Sequence, residues 1–515
     1  MQNTTATADG PGVKINGPEI MVTSSGTYEI KGTLTNGRIL VDTDNEAIVK
    51  LLLNQVNITC SYSAPMFIIK ARKVVIGLIN ERENFLQDGP AYFFSDGEDE
   101  PKAALFSKCN LSIFGTGILN VTGNYKDGIS CKDGLIIKSG TINITSADDG
   151  IRGKDYLVIR DGRIKISCGG DGMKSDLEGY SNAGYVYIED GKIDIETGKD
   201  AISAVNEIKI RNGSFTLTSG GGSSRTVPYG TSAKGIKGIA STFIEGGIFL
   251  INSADDALHS NNSIQVIGGS IIANSADDGI HADNSVEIRN TEVAINKSFE
   301  GIESATITIE NSTVRITATD DCINATHGAA TEMNDNSNLN IKSGYIYINA
   351  TKGDGLDSNG NITISGGTVI VNGPSSQPEV GVDCNGTFKI DGGTVIVSGI
   401  YSNMTDVPSA SSSQCSVFIV FSTSQAAGKI VHIEDSGGKS LLTFTPIRNY
   451  QSIIFSSPDL MKGNSYSVFS GGSATGEATD GLYFNETYTG GSIYKSFTIC
   501  SVQTTVGNSA SNPRP

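Results

Sequence analysis

The feature that most constrains the fold of this chain is an internal repeat. A short phrase, in nine of its ten copies an acidic residue followed by Gly, Ala or Cys and then Ile, Leu or Met, recurs between residues 127 and 356. Five of the nine spacings between consecutive copies are 22 residues, and the three longest contain insertions. A fixed period of a few tens of residues is typical of repeat architectures, in which each unit packs against its neighbours. The same period returns in a second phrase, which contains Gly140, Gly162, Gly191, Gly213, Gly247, Gly269, Gly367 and Gly393.

One repeat contains three short apolar segments separated by bends. In the copy that starts at Asp278, these segments are residues 280–282, 286–288 and 293–295. Apolar residues alternate within them, as in strands that bury one face, and Gly or Asn at the bends supplies left-handed backbone. Three strands in about 22 residues predict one coil of a parallel β-helix, whereas helical repeats and propeller blades need longer units.

The extent of the repeat predicts the domain organisation. We expect an N-terminal extension at 1–12, a parallel β-helix at 13–401, a Ser-rich linker at 402–414 and a small antiparallel β-domain at 415–515. The composition agrees with an all-β chain: 62 of 515 residues are Gly, and only 18% are charged.

The acidic residue of the phrase predicts a column of carboxylates. Equivalent residues of consecutive coils lie one strand spacing apart, and two charges at about 4.8 Å repel by roughly 3–4 kcal/mol at an effective dielectric constant near 20. Protons or cations must relieve this repulsion, and hard oxygen ligands favour Ca²⁺. The alternative is that each Asp caps backbone N–H groups of the next coil. The predicted Ca²⁺ ligands are Asp127, Asp149, Asp171, Asp176, Asp200, Asp256, Asp278, Glu300, Asp321, Asp354 and Asp357.

Charge and sequons restrict the partners and the compartment. The net charge of −17 argues against nucleic acid or an anionic membrane as a partner, and no apolar run is long enough to span a membrane. A high density of N-x-S/T sequons predicts a secreted, extracellular glycoprotein. The predicted glycosylation sites are Asn57, Asn110, Asn120, Asn143, Asn212, Asn261, Asn296, Asn311, Asn324, Asn349, Asn361, Asn385, Asn403 and Asn485.

Several phrases of the chain closely resemble those of one bacterial family. They include VTGNYKDGI at 121–129, SADDGIRGK at 146–154 and KGDGLDSNG at 352–360, and the likeness extends to the segment 450–491. The family is the polysaccharide-lyase-like carbohydrate-binding family first described from a cellulolytic clostridium. The resemblance implies a right-handed parallel β-helix with bound Ca²⁺ that binds plant cell-wall polysaccharide, such as pectic acid or cellulose, without catalysis.

Two other functions remain open at this stage. A Ca²⁺-dependent polysaccharide lyase would need a basic residue as proton acceptor, and insertions at 177–184, 220–232 and 327–338 could wall its groove. A glycosylated β-helix could also self-associate through its ends into an extracellular filament or coat. The basic residues beside the acidic column are Lys132, Arg152, Lys174, Lys234 and Lys237, of which Lys234 replaces the acid itself.

Overall fold

The protein is all-β in the computed structural model, which describes residues 6–44, 46–94, 97–328 and 333–507. These residues form strands and no α-helix, so none of them forms a helix that could cross a membrane. The outer parts of the predicted 1–12 extension and of the C-terminal segment, at 1–5 and 508–515, lie outside the described residues. The chain divides into two compact units, 1–264 and 265–515, which are described separately.

In the first unit the strands pair in three parallel ladders, named here the Asp ladder, the middle ladder and the Gly ladder. The Asp ladder contains Glu19–Val22, Arg38–Asp42, Met66–Lys70, Ala103–Ser107, Asp127–Cys131, Ile151–Gly153, Met173–Ser175, Ile202–Ala204, Ile236–Gly238 and Leu258–Ser260. The middle ladder contains Lys73–Leu78, Asn110–Gly115, Gly134–Ile137, Tyr156–Ile159, Tyr185–Ile188, Glu207–Ile210 and Ser241–Ile244. The Gly ladder contains Glu83–Asp88, Ile118–Gly123, Thr141–Ser146, Arg163–Cys168, Lys192–Thr197, Ser214–Ser219 and Ile248–Ser253.

The N-terminal strands of this unit are longer and less regular. Gly26–Leu34 and Ile48–Cys60 each run through both the middle and the Gly ladder. Val13–Asn16 pairs antiparallel with Glu19–Val22. The strand Ser263–Val266 includes the boundary between the two units.

The second unit repeats the three-strand pattern. Its Asp ladder contains Ile323–Ala325, Leu356–Ser358 and Val382–Cys384, and its middle ladder contains Asn338–Ile341, Asn361–Ile364 and Phe388–Ile390. Ile280–Arg289 and Ile302–Glu310 each continue through both of these ladders. The Gly ladder contains Ser270–Ser275, Glu292–Lys297, Ser312–Ala318, Gly344–Ala350, Thr368–Asn372 and Thr394–Gly399.

The C-terminal strands of the second unit pair mainly antiparallel. Thr394–Gly399 pairs with Tyr450–Ser456, which pairs with Ser416–Gln425, and the latter pairs in parallel with Gln503–Gly507. A separate six-stranded antiparallel sheet has the order Ser473–Thr479, Leu482–Thr489, Ser440–Phe444, Val431–Asp435, Ser465–Ser470 and Ser492–Thr498. Its core includes Ile370 and Ile396 of the Gly ladder. The predicted boundary at 402–414 stays a prediction.

The ladders follow from side-chain alternation and from glycine. Ile142 pairs with Ile164 one repeat later, both are fully buried, and the rings of Phe215 and Phe249 stack with centroids 4.5 Å apart. At the bend before the Gly ladder, Gly162 has φ of 131°, and a Cβ there would lie 2.8 Å from the carbonyl oxygen of Gly140. Only glycine accepts both the positive φ and the close backbone approach, because other L-residues are strained at positive φ and their Cβ would meet this oxygen.

The structure differs from the predicted three separate strands in the repeat that starts at Asp278, and also in the next one, where Ile302–Glu310 is a single strand. Residues 280–282 and 286–288, expected as separate strands, belong to the single strand Ile280–Arg289. The bend is reduced to a register shift between Ala282 and Ser285. The insertions at 177–184, 220–232 and 327–338 fall between strands, although 329–332 lie outside the described residues.

Candidate functional site

The acidic column of the first unit is buried and bonded to the backbone of the next repeat. Asp127, Asp149, Asp171 and Asp200 are each less than 9% exposed. The backbone N–H of Asp171 donates to Oδ1 of Asp149 at 2.8 Å, and that of Asp200 donates to Oδ1 of Asp171 at 3.1 Å. These carboxylates therefore act as the caps that the alternative interpretation of the column predicts.

Basic side chains from the same ladder neutralise this column. Nζ of Lys174 lies 2.6 Å from Oδ2 of Asp171 and 3.7 Å from Oδ2 of Asp149. Arg152 pairs with Asp176 at 2.8 Å. Arg152 and Lys174 are register partners on neighbouring strands, so one row of the Asp ladder supplies cations to the adjacent carboxylates.

Basic side chains also neutralise carboxylates toward the end of the first unit. Nζ of Lys234, which occupies the acidic position of its own repeat, lies 2.7 Å from Asp255 and 2.6 Å from Asp256. Nδ1 of His259 lies 2.7 Å from Oδ2 of Asp256. Nζ of Lys237 lies 3.7 Å from Asp200. Lys234 is thus an internal cation between carboxylates.

The pKa values follow this distribution of cations. Burial raises the pKa of Asp127 to about 7, and the carboxylates of Asp149 and Asp148 add to the effect. Burial also favours a high pKa for Asp256, but the hydrogen bond from His259 and the charge of Lys234 lower it to about 2. Residues at equivalent positions of the repeat therefore differ in charge at neutral pH.

In the second unit, a histidine replaces lysine and arginine beside the column. Nδ1 of His281 lies 2.9 Å from both Asp278 and Glu303, and its Nε2 lies 3.3 Å from Asp283. Burial favours a low pKa for His281, but the hydrogen bonds to Asp278 and Glu303 raise it to about 11. The imidazolium therefore supplies the positive charge at this cluster. Burial, Glu303 and Asp278 raise the pKa of the neighbouring Glu300 to about 9.

A cluster made only of carboxylates lies further along the same Asp ladder. Asp354, Asp357 and Asp383 each place one carboxylate oxygen within 4.8 Å of the others. Asp357 and Asp383 are register partners on neighbouring strands, and Asp354 is 5% exposed. The backbone N–H of Val380 donates to Oδ1 of Asp354, and the N–H of Asp354 donates to Oδ1 of Asp321 at 2.5 Å.

The electrostatics of this cluster leave its repulsion to be relieved by protons or by a bound cation. Burial and the charge of Asp321 raise the pKa of Asp354 to about 9, and Asp357 and Asp383 add to the shift. Burial also raises the pKa of Asp321 to about 7. Carboxylate oxygens are the ligands that Ca²⁺ and Mg²⁺ prefer, so the donor set fits the calcium that the family resemblance implies.

The predicted Ca²⁺ ligands thus fall into different environments, and calcium binding at them stays a prediction. Asp149, Asp171, Asp176, Asp200 and Asp256 pair with basic side chains, and Asp278 pairs with His281. Asp354 and Asp357 belong to the carboxylate cluster, whose third member is Asp383, an acid that the sequence also offers to complete a calcium shell. Its signal in the sequence is its place three residues after Val380, equivalent to the place of Asp357 after Asp354.

The predicted glycosylation sites divide by exposure. Asn110, Asn120, Asn143, Asn324, Asn349, Asn361 and Asn385 are partly buried, and in most of them Nδ2 donates a hydrogen bond within a ladder, as Asn143 does to Asn120. The exposed sites are Asn57, Asn212, Asn261, Asn296, Asn311, Asn403 and Asn485. All eight cysteines are free thiols in the structure.

Comparison with known proteins agrees with the family resemblance seen in the sequence. A family described as carbohydrate-binding domain-containing protein matches residues 16–279 and 271–406. A protein of that description from Acetivibrio thermocellus is 37% identical over 134 residues, which are 26% of this chain and 47% of the relative. The chain therefore spans about half the length of that relative.

A solved structure is also similar. It is the gadolinium derivative of the polysaccharide lyase-like protein from C. thermocellum, with 30% sequence identity and a TM-score of 0.41. The match covers 48% of this chain and 93% of that one. Since the family match spans well over half of the residues, this chain belongs to the family of carbohydrate-binding domain-containing proteins.

Proposed function

We propose that this protein is a secreted, non-catalytic binder of acidic plant cell-wall polysaccharide, which it holds through Ca²⁺ at Asp354, Asp357 and Asp383. The observation that carries the proposal is this carboxylate cluster in a chain of a carbohydrate-binding family. In the proposal, the three parallel ladders are the sides of a right-handed β-helix, and their period of about 22 residues supports that arrangement.

Calcium supplies the positive charge that this acidic chain needs to bind an acidic polysaccharide. A net charge of −17 repels a uronate polymer, so a cation must stand between the two. Ca²⁺ takes about six to eight oxygen ligands, and three aspartates leave several positions for water or for sugar carboxylates and hydroxyls. Asp354, Asp357 and Asp383 would hold the ion, and the ion would bridge them to the polysaccharide.

The state of the basic residues favours binding over lyase chemistry. A proton-abstracting lysine needs a pKa near the working pH, which means a lowered value. Burial favours a low pKa for Lys174, but Asp171 and Asp149 raise it above its usual value. Asp256 and Asp255 likewise raise the pKa of Lys234 against the effect of burial. Both ammonium groups therefore neutralise carboxylates and are poor bases.

Calorimetry and polymer retention test the proposal. The wild type should bind Ca²⁺ and should be retained by polygalacturonate gels with Ca²⁺ but not with EDTA. The double variant Asp357→Asn/Asp383→Asn should lose both properties, since it removes two of the three charged ligands. Asp459→Asn, at an exposed acid on a turn, is the matched control and should behave as the wild type. Retention of the double variant at wild-type affinity would refute the proposed site.

A further inference from the structure

Four aromatic rings lie on the outer face of the middle ladder in the first unit. Tyr156 and Tyr185 are register partners on neighbouring strands. Two positions further along the strands, Tyr187 pairs with Lys209, which pairs with Phe243. The four aromatic side chains alternate with buried aliphatic ones and are partly exposed, so they form one surface, named here the aromatic face.

The backbone beneath the aromatic face is shaped for these rings. Tyr156 lies over Gly134, its register partner in the preceding repeat, and a Cβ on Gly134 would fall within 1.9 Å of the ring. The hydroxyl of Tyr156 donates to Oδ1 of Asn110 at 3.4 Å. The ring of Tyr185 stacks on Tyr156 with centroids 5.5 Å apart and planes 15° apart. Glycine at this position thus lets the first ring lie against the sheet and support the second.

Ion pairs neutralise the charges along the rim of the aromatic face. Lys209 and Arg211 both pair with Glu245, at 2.9 and 3.3 Å, and Arg160 lies 3.9 Å from Glu189. Lys209 also lies over the ring of Phe243, with its Nζ atom 5.0 Å from the centroid. A surface with paired charges and partly exposed rings suits an uncharged ligand that has apolar faces of its own, as a pyranose ring does.

The spacing of the rings suits an extended chain of sugars. Tyr187 and Phe243 lie two strands apart in the ladder, which is about 10 Å at the ordinary strand spacing. In an extended β-1,4-linked chain, that distance corresponds to about one disaccharide, after which the same ring face recurs. The Tyr187 and Phe243 rings are therefore separated along the ladder by about one such disaccharide.

We propose that the aromatic face is a second carbohydrate-binding site, which stacks the sugar rings of a neutral, extended β-linked glycan and needs no metal. It rests on the carbohydrate-binding character of the family, but it is independent of the calcium site and of acidic ligands. Its residues are Tyr156, Tyr185, Tyr187 and Phe243.

Binding in EDTA to soluble and insoluble β-1,4-glucans tests this site. The wild type should bind, and Tyr185→Thr/Tyr187→Thr should bind about tenfold or more weakly, which corresponds to a loss of about 1.4 kcal/mol or more from two stacking rings. Thr preserves strand propensity. Tyr229→Thr, which removes a fully exposed ring outside the aromatic face, should bind as the wild type.

Further readouts separate this site from the calcium site and from misfolding. The double tyrosine variant should keep wild-type Ca²⁺-dependent retention on polygalacturonate and should keep its melting temperature, whereas Asp357→Asn/Asp383→Asn should keep glucan binding. Gly134→Ala gives an independent test, because its Cβ displaces the Tyr156 ring, and it should also weaken glucan binding. Absence of wild-type binding to any β-linked glucan in EDTA, or equal binding by a folded double variant, would overturn the proposal.

Discussion

The backbone N–H of Asp171 donates a 2.8 Å hydrogen bond to Oδ1 of Asp149, the equivalent residue of the preceding repeat. This contact gives the recurring acid a structural role, because Asp127, Asp149 and Asp171 each accept a hydrogen bond from the backbone N–H of the equivalent residue in the next repeat. The second oxygen of the carboxylate contacts neighbouring side chains, as Oδ2 of Asp171 does with Lys174, and these side chains differ from repeat to repeat. Where a Lys, Arg or His follows in register, its charge neutralises the carboxylate within the protein, and where further acids follow, a proton or a cation would relieve their repulsion.

Removal of one internal cation should destabilise the first unit. Lys174→Met leaves Asp149 and Asp171 without the ammonium group that lies between them, so we expect the free energy of unfolding to fall by about 1–3 kcal/mol at neutral pH. Urea denaturation measures this, with Lys192→Met at an exposed position of the Gly ladder as the control. Equal stability of the two variants would show that the ion pairs of Lys174 contribute nothing.

Neutralising Asp127 should stabilise the protein at high pH. Its folded-state pKa of about 7 lies above the ordinary value of 3.8, so the native state loses stability as pH rises through this window. Asp127→Asn keeps an acceptor for the N–H of Asp149 and removes the charge. At about pH 8 in EDTA we expect the variant to exceed the wild type by roughly 2–4 kcal/mol, with little difference near pH 4. A pH-independent difference in urea denaturation would contradict this.

The stacked glycines should not tolerate a side chain. Gly162→Ala combines a positive φ with a Cβ 2.8 Å from the carbonyl oxygen of Gly140, and we expect a loss of about 2–4 kcal/mol. Gly179→Ala has φ of 85° in open space, so it isolates the backbone strain and should cost about 1 kcal/mol. Thermal melts of the two variants compare these losses of stability. Equal melting temperatures would mean that the backbone moves enough to relieve the contact between the new Cβ at residue 162 and the carbonyl oxygen of Gly140.

Glycan occupancy should follow the exposure of the asparagines. If the chain passes through a secretory pathway that attaches N-glycans, peptide mass spectrometry should find sugars at exposed sites such as Asn57, Asn261 and Asn485. Asn120 and Asn143 should remain bare, because their Nδ2 atoms donate hydrogen bonds inside the Gly ladder. Efficient glycosylation of these two would show that the ladder forms only after modification.

Sequence reasoning predicted the repeat well because its cause is local. The Asp-Gly-Ile phrase, the glycine bend and the alternating Ile and Val residues are all contained in one unit of about 22 residues. The stacking of Asp149 and Asp171, 22 residues apart, follows from that period, whereas Asp200, 29 residues after Asp171, is aligned by the recurring phrase. The family resemblance quoted from short phrases also agrees with the family match.

The chemistry of each acid was less predictable because it depends on a neighbouring repeat. Asp171 is neutralised by Lys174, whereas Asp354 faces Asp357 and Asp383. Insertions change the number of residues between equivalent strands. Asp383, the third member of the carboxylate cluster, therefore follows Asn372 after a segment of irregular length. The four rings of the aromatic face likewise come from three strands, and their proximity is visible only once the strands are paired.

The central claim is that Ca²⁺ links the carboxylate cluster to an acidic polysaccharide. Its most direct test is a crystal structure with Ca²⁺ and an oligogalacturonate, with the metal located by anomalous scattering. The account predicts a metal peak within about 2.3–2.6 Å of oxygens of Asp354, Asp357 and Asp383, with a sugar carboxylate or hydroxyl among its other ligands. Ordered oligogalacturonate bound elsewhere, with no metal at these three aspartates, would contradict it.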